Sequence, residues 1–470
     1  MFRRLFLSTS AALALALAAA SGGCAFGPRD QTDTPPIVFV HGNGDSAALW
    51  QTTLWRFESN GWPRERLFAL QQPYPLARDD DSKEQAGRSS SAEQMAFLKA
   101  EVEKVLAKTG AQQVVLVGNS RGGYAIRNYI QNGGGDKTVS HAILGGTPNH
   151  GIWAIPGFRE NSEFSGTGAF LKKLNAPKNA AGDEVPGPVK WLTIRSDNND
   201  KYSQPDGEWI GAKGKATNVG YDSPALKGAQ NIVIDRLDHR ETSFSPAAFD
   251  AAYRFITGHA PATRQIRPEQ SIVLDGLVTG MGVNSSDPAS ESNNFSNNLP
   301  VPKARVEVYA VHYQTGLRVG GPVHLKAVGA DGHWGPFKAL AGVPYEFVVR
   351  APGYATTHIY RSPFARGSAV VNLKAARIAD ADLAAFSIVQ MVRPRGYLDP
   401  STHHIEFDAQ SPPPGIAVTR VAALASSQIN LTRLQNRAIS AEIHTDTVER
   451  VVGRTWPAKE NHVVYLELTQ

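Results

Sequence analysis

The sequence predicts an α/β domain built on a mostly parallel sheet flanked by helices, followed by an all-β sandwich region. Three observations predict it. From Pro35 to about Ala260, short apolar runs alternate with segments of helical periodicity, the pattern of strands joined by helical crossovers. After APATRQIRP, Ala260 to Pro268, the helical period disappears and alternation broken by turn residues takes over. Within the first region, Gly118-Asn119-Ser120-Arg121-Gly122 puts one serine among glycines where a buried strand meets a helix.

Taken in order, Ile37-Val38-Phe39-Val40 reads as a buried strand. Met95, Leu98, Val102, Val105 and Leu106 recur at helical spacing in a segment that ends at Gly110. Val114 to Val117 is the next strand, and Arg121 to about Gln131 the helix after it. Ala142 to Leu144, Trp191 to Ile194 and Ile232 to Ile234 supply three more strands, before a final helix from Pro246 to Thr257. Gly151 to Pro188 contains no strand but carries Trp153, Ile155, Phe158, Phe164, Phe170, Leu171 and Leu174. Two readings of it stand, a lid over an apolar site and a helical excursion packed on the core. In the β region, strands fall at Ser271–Leu274, Ala304–Val311, Val323–Ala327, Tyr345–Val349 and Ala369–Leu373, and GVNSSDPASESNNFSNNLP is a polar loop. The expected units are a leader at 1–24, a catalytic domain at 35–260, a sandwich at 265–375 and a second β-subdomain at 376–470.

At 470 residues the chain is long enough for two or three cores. With 41% hydrophobic and 19% charged residues it is globular rather than disordered. The formal charge of +5 is mild, and no basic block interleaved with aromatics supports nucleic acid binding. There is no CxxC, HExxH or phosphate loop, so no cofactor or metal is implied. Asp79-Asp80-Asp81 lacks the spaced ligands of a calcium loop and reads as a solvated turn; His403-His404 reads as part of a turn.

MFRRLFLSTSAALALALAAASGGC has the charged start, apolar stretch and small residues of an export signal. Arg3-Arg4-Leu5-Phe6-Leu7 fits a twin-arginine signal, and a general secretory signal remains open beside it. Cys24 is the single cysteine, so an internal disulfide is excluded. Its position suits either lipidation, which would anchor the protein to a membrane, or removal with the leader. The expected location is periplasmic or extracellular.

The chemistry is concentrated at Ser120. A G-x-S-x-G turn between a strand and a helix keeps the positions two before and two after the serine free of Cβ atoms. The hydroxyl is thereby raised above the sheet at a helix N-terminus, where developing negative charge is favoured. His41-Gly42-Asn43-Gly44 follows the first strand, so the amides of Asn43 and Arg121 are the expected oxyanion donors. His239 lies after the last strand and before the last helix, the chain position of a general base. The acid is expected in Asp197-Asn198-Asn199-Asp200, with Asp200 chosen and Asp197 as the alternative.

PIVFVHGNGDSAALW, GNSRGG, LGGTPNHG and LDHRE together resemble α/β-hydrolase lipases and carboxylesterases. The run from NIVIDRLDHRE into a β-domain is similar to archaeal-type lipases with a C-terminal lipid-binding β-sandwich. In that relative the acid lies on the strand after the nucleophile helix. The matching stretch here, Ile143-Leu144-Gly145-Gly146-Thr147, holds no carboxylate, so the acid does not transfer. Residues 304–361 resemble carboxypeptidase-regulatory-like modules, with TG, DGHWG and YEFVVRAPGY at the turns. The resemblance implies a fold of α/β-hydrolase type and a serine esterase or lipase. Its partner would be a hydrophobic ester, met at a lipid or polymer interface through the β-domain. Polyester depolymerisation is the rival within this class, and a non-catalytic surface binding protein is the rival outside it.

Overall fold

The computed structural model describes residues 34–281, 297–419, 421–433 and 436–470. The leader, Cys24 and most of the polar loop after Met281 lie outside the described residues. The first region runs β1 (Ile37–Val40), α1 (Gln51–Ser59), β2 (Leu67–Ala69), α2 (Ser91–Thr109), β3 (Val114–Asn119), α3 (Arg121–Asn132) and β4 (Val139–Gly145). It continues with α4 (Ala169–Leu174), β5 (Lys190–Arg195), β6 (Gln230–Val233), α5 (Glu241–Phe244) and α6 (Pro246–Thr257). The six strands form one parallel sheet in the order β2-β1-β3-β4-β5-β6.

Alternation along the buried strands assigns each side chain to a face. Val38, Val40, Val114 and Leu116 pack under Leu98, Val102, Ala125 and Ile126 of α2 and α3. Ile37, Phe39, Val115 and Val117 pack against Trp50, Phe57, Phe249 and Tyr253 on the opposite face. Helix α2 starts at a capping box of Ser90 and Glu93 and stops at Gly110, whose φ of +67° ends it in the left-handed conformation. The chain runs from β1 out to the edge strand β2 and returns to β3 on the other side of β1. The direction of winding therefore reverses between β1 and β3, and a crevice opens beyond their carboxyl ends. Gly42 follows one of these strands and Ser120 follows the other.

The β region comprises β7 (Ile272–Leu274), β8 (Val278–Gly280), β9 (Arg305–Ala310), β10 (His324–Ala327), β11 (Phe337–Ala339), β12 (Tyr345–Arg350), β13 (Thr356–Arg361) and β14 (Leu373–Ala375). It continues with β15 (Ser387–Val392), β16 (His404–Phe407), β17 (Ser426–Leu431), β18 (Ala438–His444), β19 (Val448–Arg454) and β20 (His462–Glu467). Its centre is a seven-stranded sheet, β10-β9-β12-β13-β20-β15-β17. Phe347, Ile359 and Val463 of that sheet pack on Leu274, Phe337 and Leu373 of two small sheets. Its other face packs Met391, Val464 and Leu466 on Phe407, Ile439 and Val451 of the sheet β16-β18-β19.

This topology crosses the boundary that the sequence suggests near residue 376. β20 lies between β13 and β15 and is parallel to both, so strands from 376–470 complete the sheet begun by 305–361. Period-two patterning gives the existence of a strand but not its neighbour, which explains why the join was not legible. The expected strand Ala369–Leu373 is shifted to Leu373–Ala375, where it pairs with β8. The two regions are also bonded to each other. Trp55 Nε1 donates to the Gly367 carbonyl at 2.8 Å, and Asn298 Nδ2 donates to the carbonyls of Asp45 and Gln72, both at 2.8 Å.

Candidate active site

Ser120 follows β3 at φ +53° and ψ −121°, a backbone strain that L residues adopt only where the surroundings impose it. The flanking glycines explain how the turn is accommodated. A Cβ at Gly118 would come within 2.7 Å of Ile126 Cδ1, and one at Gly122 would overlap the Val40 carbonyl. Thr147 reaches over from the loop after β4 and donates from Oγ1 to the Ser120 carbonyl at 3.1 Å. Gly123 provides the room for Thr147, because a Cβ there would overlap its side chain. The Gly146-Thr147-Pro148 stretch thus buttresses the serine turn, and Pro148 additionally accepts from Tyr124 Oη at 2.6 Å.

His239 lies in the loop between β6 and α5. Its Nδ1 is 2.9 Å from both carboxylate oxygens of Asp200, and both side chains are almost fully buried. Its Nε2 is buried and has no hydrogen-bond partner among the described residues. The Tyr202 ring stands edge-on to the imidazole, with centroids 4.6 Å apart. Asn119, beside the serine, donates to Ser243 Oγ at 2.8 Å and to the His239 carbonyl at 3.3 Å, tying the serine turn to the histidine loop.

Of the two carboxylates left open by the sequence, Asp200 is the one on the imidazole. Asp197 instead accepts from the backbone N–H of Asn199 and Arg236 at 3.2 and 3.1 Å and shapes the loop. Asp200 also accepts from Tyr202 N at 2.8 Å as the cap of a short turn, which fixes its carboxylate.

Gly42, Asn43, Asn119, Ser120 and His239 line one cavity of about 1090 Å³. Asn43 Oδ1 accepts from Ala77 N at 2.7 Å, which holds the loop after β1, and Arg121 is the first residue of α3, where backbone N–H groups lack intrahelical partners. His41 does a different job. Its Nε2 accepts from Gln72 N at 3.2 Å and its Nδ1 faces the Gly42 carbonyl at 3.0 Å, with burial lowering its pKa. A neutral ring satisfies both contacts and pins the loop.

Several participants had no sequence signal. The Arg121 side chain, expected to matter only through its backbone, is fully buried and grips Glu163 with two bonds of 2.5 and 2.9 Å. Glu163 belongs to the segment 151–188, and Ile152, Trp153 and Phe164 of that segment form a cavity wall. Tyr397, Ala423, Leu424 and Ala425 from the β region form another. Arg393 is fully buried, with Nη1 donating to the Tyr397 carbonyl at 2.6 Å and lying 3.5 Å from Asp238, and Nη2 on Glu241 at 2.7 Å. Burial and then the Glu241 carboxylate push Asp238 up to about 7, against the pull of Arg393. Asp399, also from the β region, accepts from Asn199 Nδ2 in the acid loop at 2.9 Å. No signal short of three dimensions links positions 393–425 to His239.

Residues 34–155 match the family model described as Lipase (class 2), and residues 270–378 match the model described as Lipase C-terminal domain. Both regions match lipase models. The resemblance to α/β-hydrolase lipases with a C-terminal β-domain therefore stands for each. A non-heme haloperoxidase of Rhodococcus erythropolis is 26% identical over 130 residues, covering 27% of this chain and 43% of that protein, so the match spans less than half of the relative. Among solved structures, Aspergillus fumigatus lipase B is 16% identical, with 51% of this chain and 56% of that one covered and a TM-score of 0.34. A mature lipase of Bacillus licheniformis is 20% identical, with 47% and 89% covered and a TM-score of 0.30.

Proposed function

We propose that this chain is a serine hydrolase of carboxylic esters, of lipase or esterase type. The observation that carries the reading is the cavity shared by Ser120 and His239: the imidazole is held by Asp200 at Nδ1 and unpartnered at Nε2. The lipase family matches of the two regions support the same class. In this reading His239 Nε2 takes the proton of Ser120 Oγ as the oxygen attacks the ester carbonyl. The tetrahedral oxyanion is held by the backbone N–H groups of Asn43 and Arg121. Collapse expels the alcohol, which takes the proton from His239. Water then attacks the acyl-serine, giving up its proton to His239; the bond to Ser120 Oγ breaks, Oγ takes that proton back, and the acid leaves. Asp200 keeps the imidazole in one tautomer and stabilises the imidazolium without itself being protonated.

The test is hydrolysis of a p-nitrophenyl ester series by the wild type beside Ser120→Ala. Activity that falls on the order of 10⁴-fold or more in the variant supports the reading. Equal rates in both proteins overturn it. Export rests on the leader at 1–24, and anchoring by a lipid on Cys24 is part of the same proposal. Metabolic lipid labelling of the wild type and of Cys24→Ala tests the anchor, and equal labelling of the two refutes it.

A further inference from the structure

The charges around the Ser120 cavity do not balance. Five cationic side chains line it, and three of them have carboxylate partners. Arg78 Nη2 lies 2.8 Å from Glu93, Arg88 Nη1 3.4 Å from Asp79, and Arg240 Nε 3.3 Å from Asp45. Lys201 and Arg159 form no ion pair among the described residues. Lys201 immediately follows Asp200. Its Nζ donates to the Ala423 carbonyl at 3.0 Å and sits 4.2 Å from the centre of the Tyr397 ring and 5.0 Å from that of Tyr202. Arg159 donates from Nη1 to the Ile210 carbonyl at 3.2 Å and lies over the Phe158 ring at 5.0 Å.

These contacts orient the half-buried Lys201 and the exposed Arg159 and, among the described residues, leave each with donors unspent. An ammonium carries three N–H donors and a guanidinium five, whereas each group uses one on a protein carbonyl. The aromatic faces beside them are compatible with cationic charge and leave the N–H donors free for an anionic acceptor such as a carboxylate. Ile152, Trp153, Phe164, Ile210 and Leu424 form an apolar patch of the lining, beside polar residues that include Asn43, Asp45, Asp79 and Ser162. A cavity with an apolar patch and two cations that have no ion pair among the described residues suits a ligand with an apolar body and an anionic group.

We propose that Lys201 and Arg159 form a carboxylate-binding subsite in the Ser120 cavity, and that the preferred substrate is an ester carrying both an apolar chain and a negative charge. The inference rests on the ester hydrolase reading and narrows its substrate class. A carboxylate can stand on the acyl part, as in a dicarboxylic half-ester, or on the alcohol part, as in an ester of a hydroxy acid. The chemistry at Lys201 and Arg159 is the same for both.

The experiment measures kcat/KM of the full chain on matched pairs. Mono-p-nitrophenyl adipate against p-nitrophenyl hexanoate probes the acyl side. Butyryl glycolate against ethyl butyrate, followed by proton release, probes the alcohol side. The ratio of acidic to neutral ester is read within each protein, so any loss common to both substrates cancels. In the wild type at least one pair favours the acidic ester about tenfold, and the preference falls as salt rises. It collapses in Lys201→Met, shrinks in Arg159→Gln and is partly restored in Lys201→Arg. A wild-type ratio at or below one for both pairs overturns the subsite, as does a ratio unchanged by all three variants. Absence of Ser120-dependent hydrolysis of any of the four esters would instead overturn the hydrolase reading, and the subsite with it.

Discussion

Among the described residues two carboxylate–histidine pairs have both side chains almost fully buried, and the difference between them separates chemistry from architecture. In the α/β region, Asp200 holds His239 at Nδ1, and Nε2 has no partner among the described residues in a cavity that also holds Ser120. In the β region, Glu346 Oε1 contacts His358 Nδ1 at 2.6 Å, and His358 Nε2 meets His462 Nδ1 at 2.7 Å. The second imidazole stacks on Trp456 with centroids 4.0 Å apart, while Arg318 holds Glu346 through two bonds of 2.6 and 3.1 Å. Both ring nitrogens of His358 are spent. Burial and hydrogen bonding are thus common to both pairs, and what differs is an idle nitrogen beside a strained serine. The first arrangement can move a proton, whereas the second joins β12, β13 and β20 across the sheet.

The comparison breaks most sharply at the carboxylates. Asp200→Asn should lower kcat on the order of 10³- to 10⁴-fold while the melting midpoint moves little, because it removes the tautomer and imidazolium control rather than a packing group. Steady-state kinetics beside thermal unfolding read both quantities. Glu346→Gln should do the opposite, costing about 3 kcal/mol in denaturant unfolding and leaving kcat per folded molecule unchanged.

Acid sharpens the contrast. Burial would raise Glu346, but hydrogen bonds from His358 and Arg318 outweigh it and hold the carboxyl below its usual value. Burial lowers His358, against the pull of Glu346. A depressed carboxylate gives stability that is present above its unfolded pKa of about 4.5 and lost as pH falls through the folded value. A histidine kept neutral loses stability as pH falls below about 6.5, where the unfolded ring takes up a proton. Both signs make the wild-type melting midpoint fall on acidification, and Glu346→Gln should flatten the drop below pH 4.5.

Smaller effects follow at the cavity. Burial, then Arg240, lowers Lys201 to about 8. Asp238 and Asp200 oppose that shift, and burial keeps the neighbouring Tyr202 and Tyr397 hydroxyls neutral by raising them. The Lys201 share of any preference for acidic esters should therefore be present below pH 8 and fade above it, as the ratio of matched substrates across pH 7 to 9.5 will record. The smallest effect is expected for Asp197→Asn, within about twofold in kcat, since Asp197 bonds backbone N–H groups of Asn199 and Arg236 and not the imidazole.

How much of this was legible in the sequence depended on the range of the interaction. The serine turn was readable because its requirements are local: glycines at 118 and 122, a buried strand before them and a helix after. The six parallel strands were also readable, except the edge strand Leu67–Ala69, whose half-buried residues give a weak apolar signal. The choice between Asp200 and Asp197 was not local. Both lie in one loop, and only the fold decides which carboxylate meets residue 239. Positions 393–425 were wholly hidden, because the walls and straps they supply lie more than 150 residues from His239 in the chain. The separate subdomain suggested for 376–470 was undone by β20, whose pattern gives no sign that it sits between β13 and β15.

The most direct measurement is covalent labelling by a fluorophosphonate, with the modified residue located by peptide mass spectrometry. The account predicts labelling of the wild type at Ser120, labelling slowed by orders of magnitude in His239→Gln and Asp200→Asn, and labelling unaffected in Glu346→Gln at temperatures where that variant is folded. A wild type that does not react at Ser120, or one that reacts equally fast without His239 and Asp200, would contradict it.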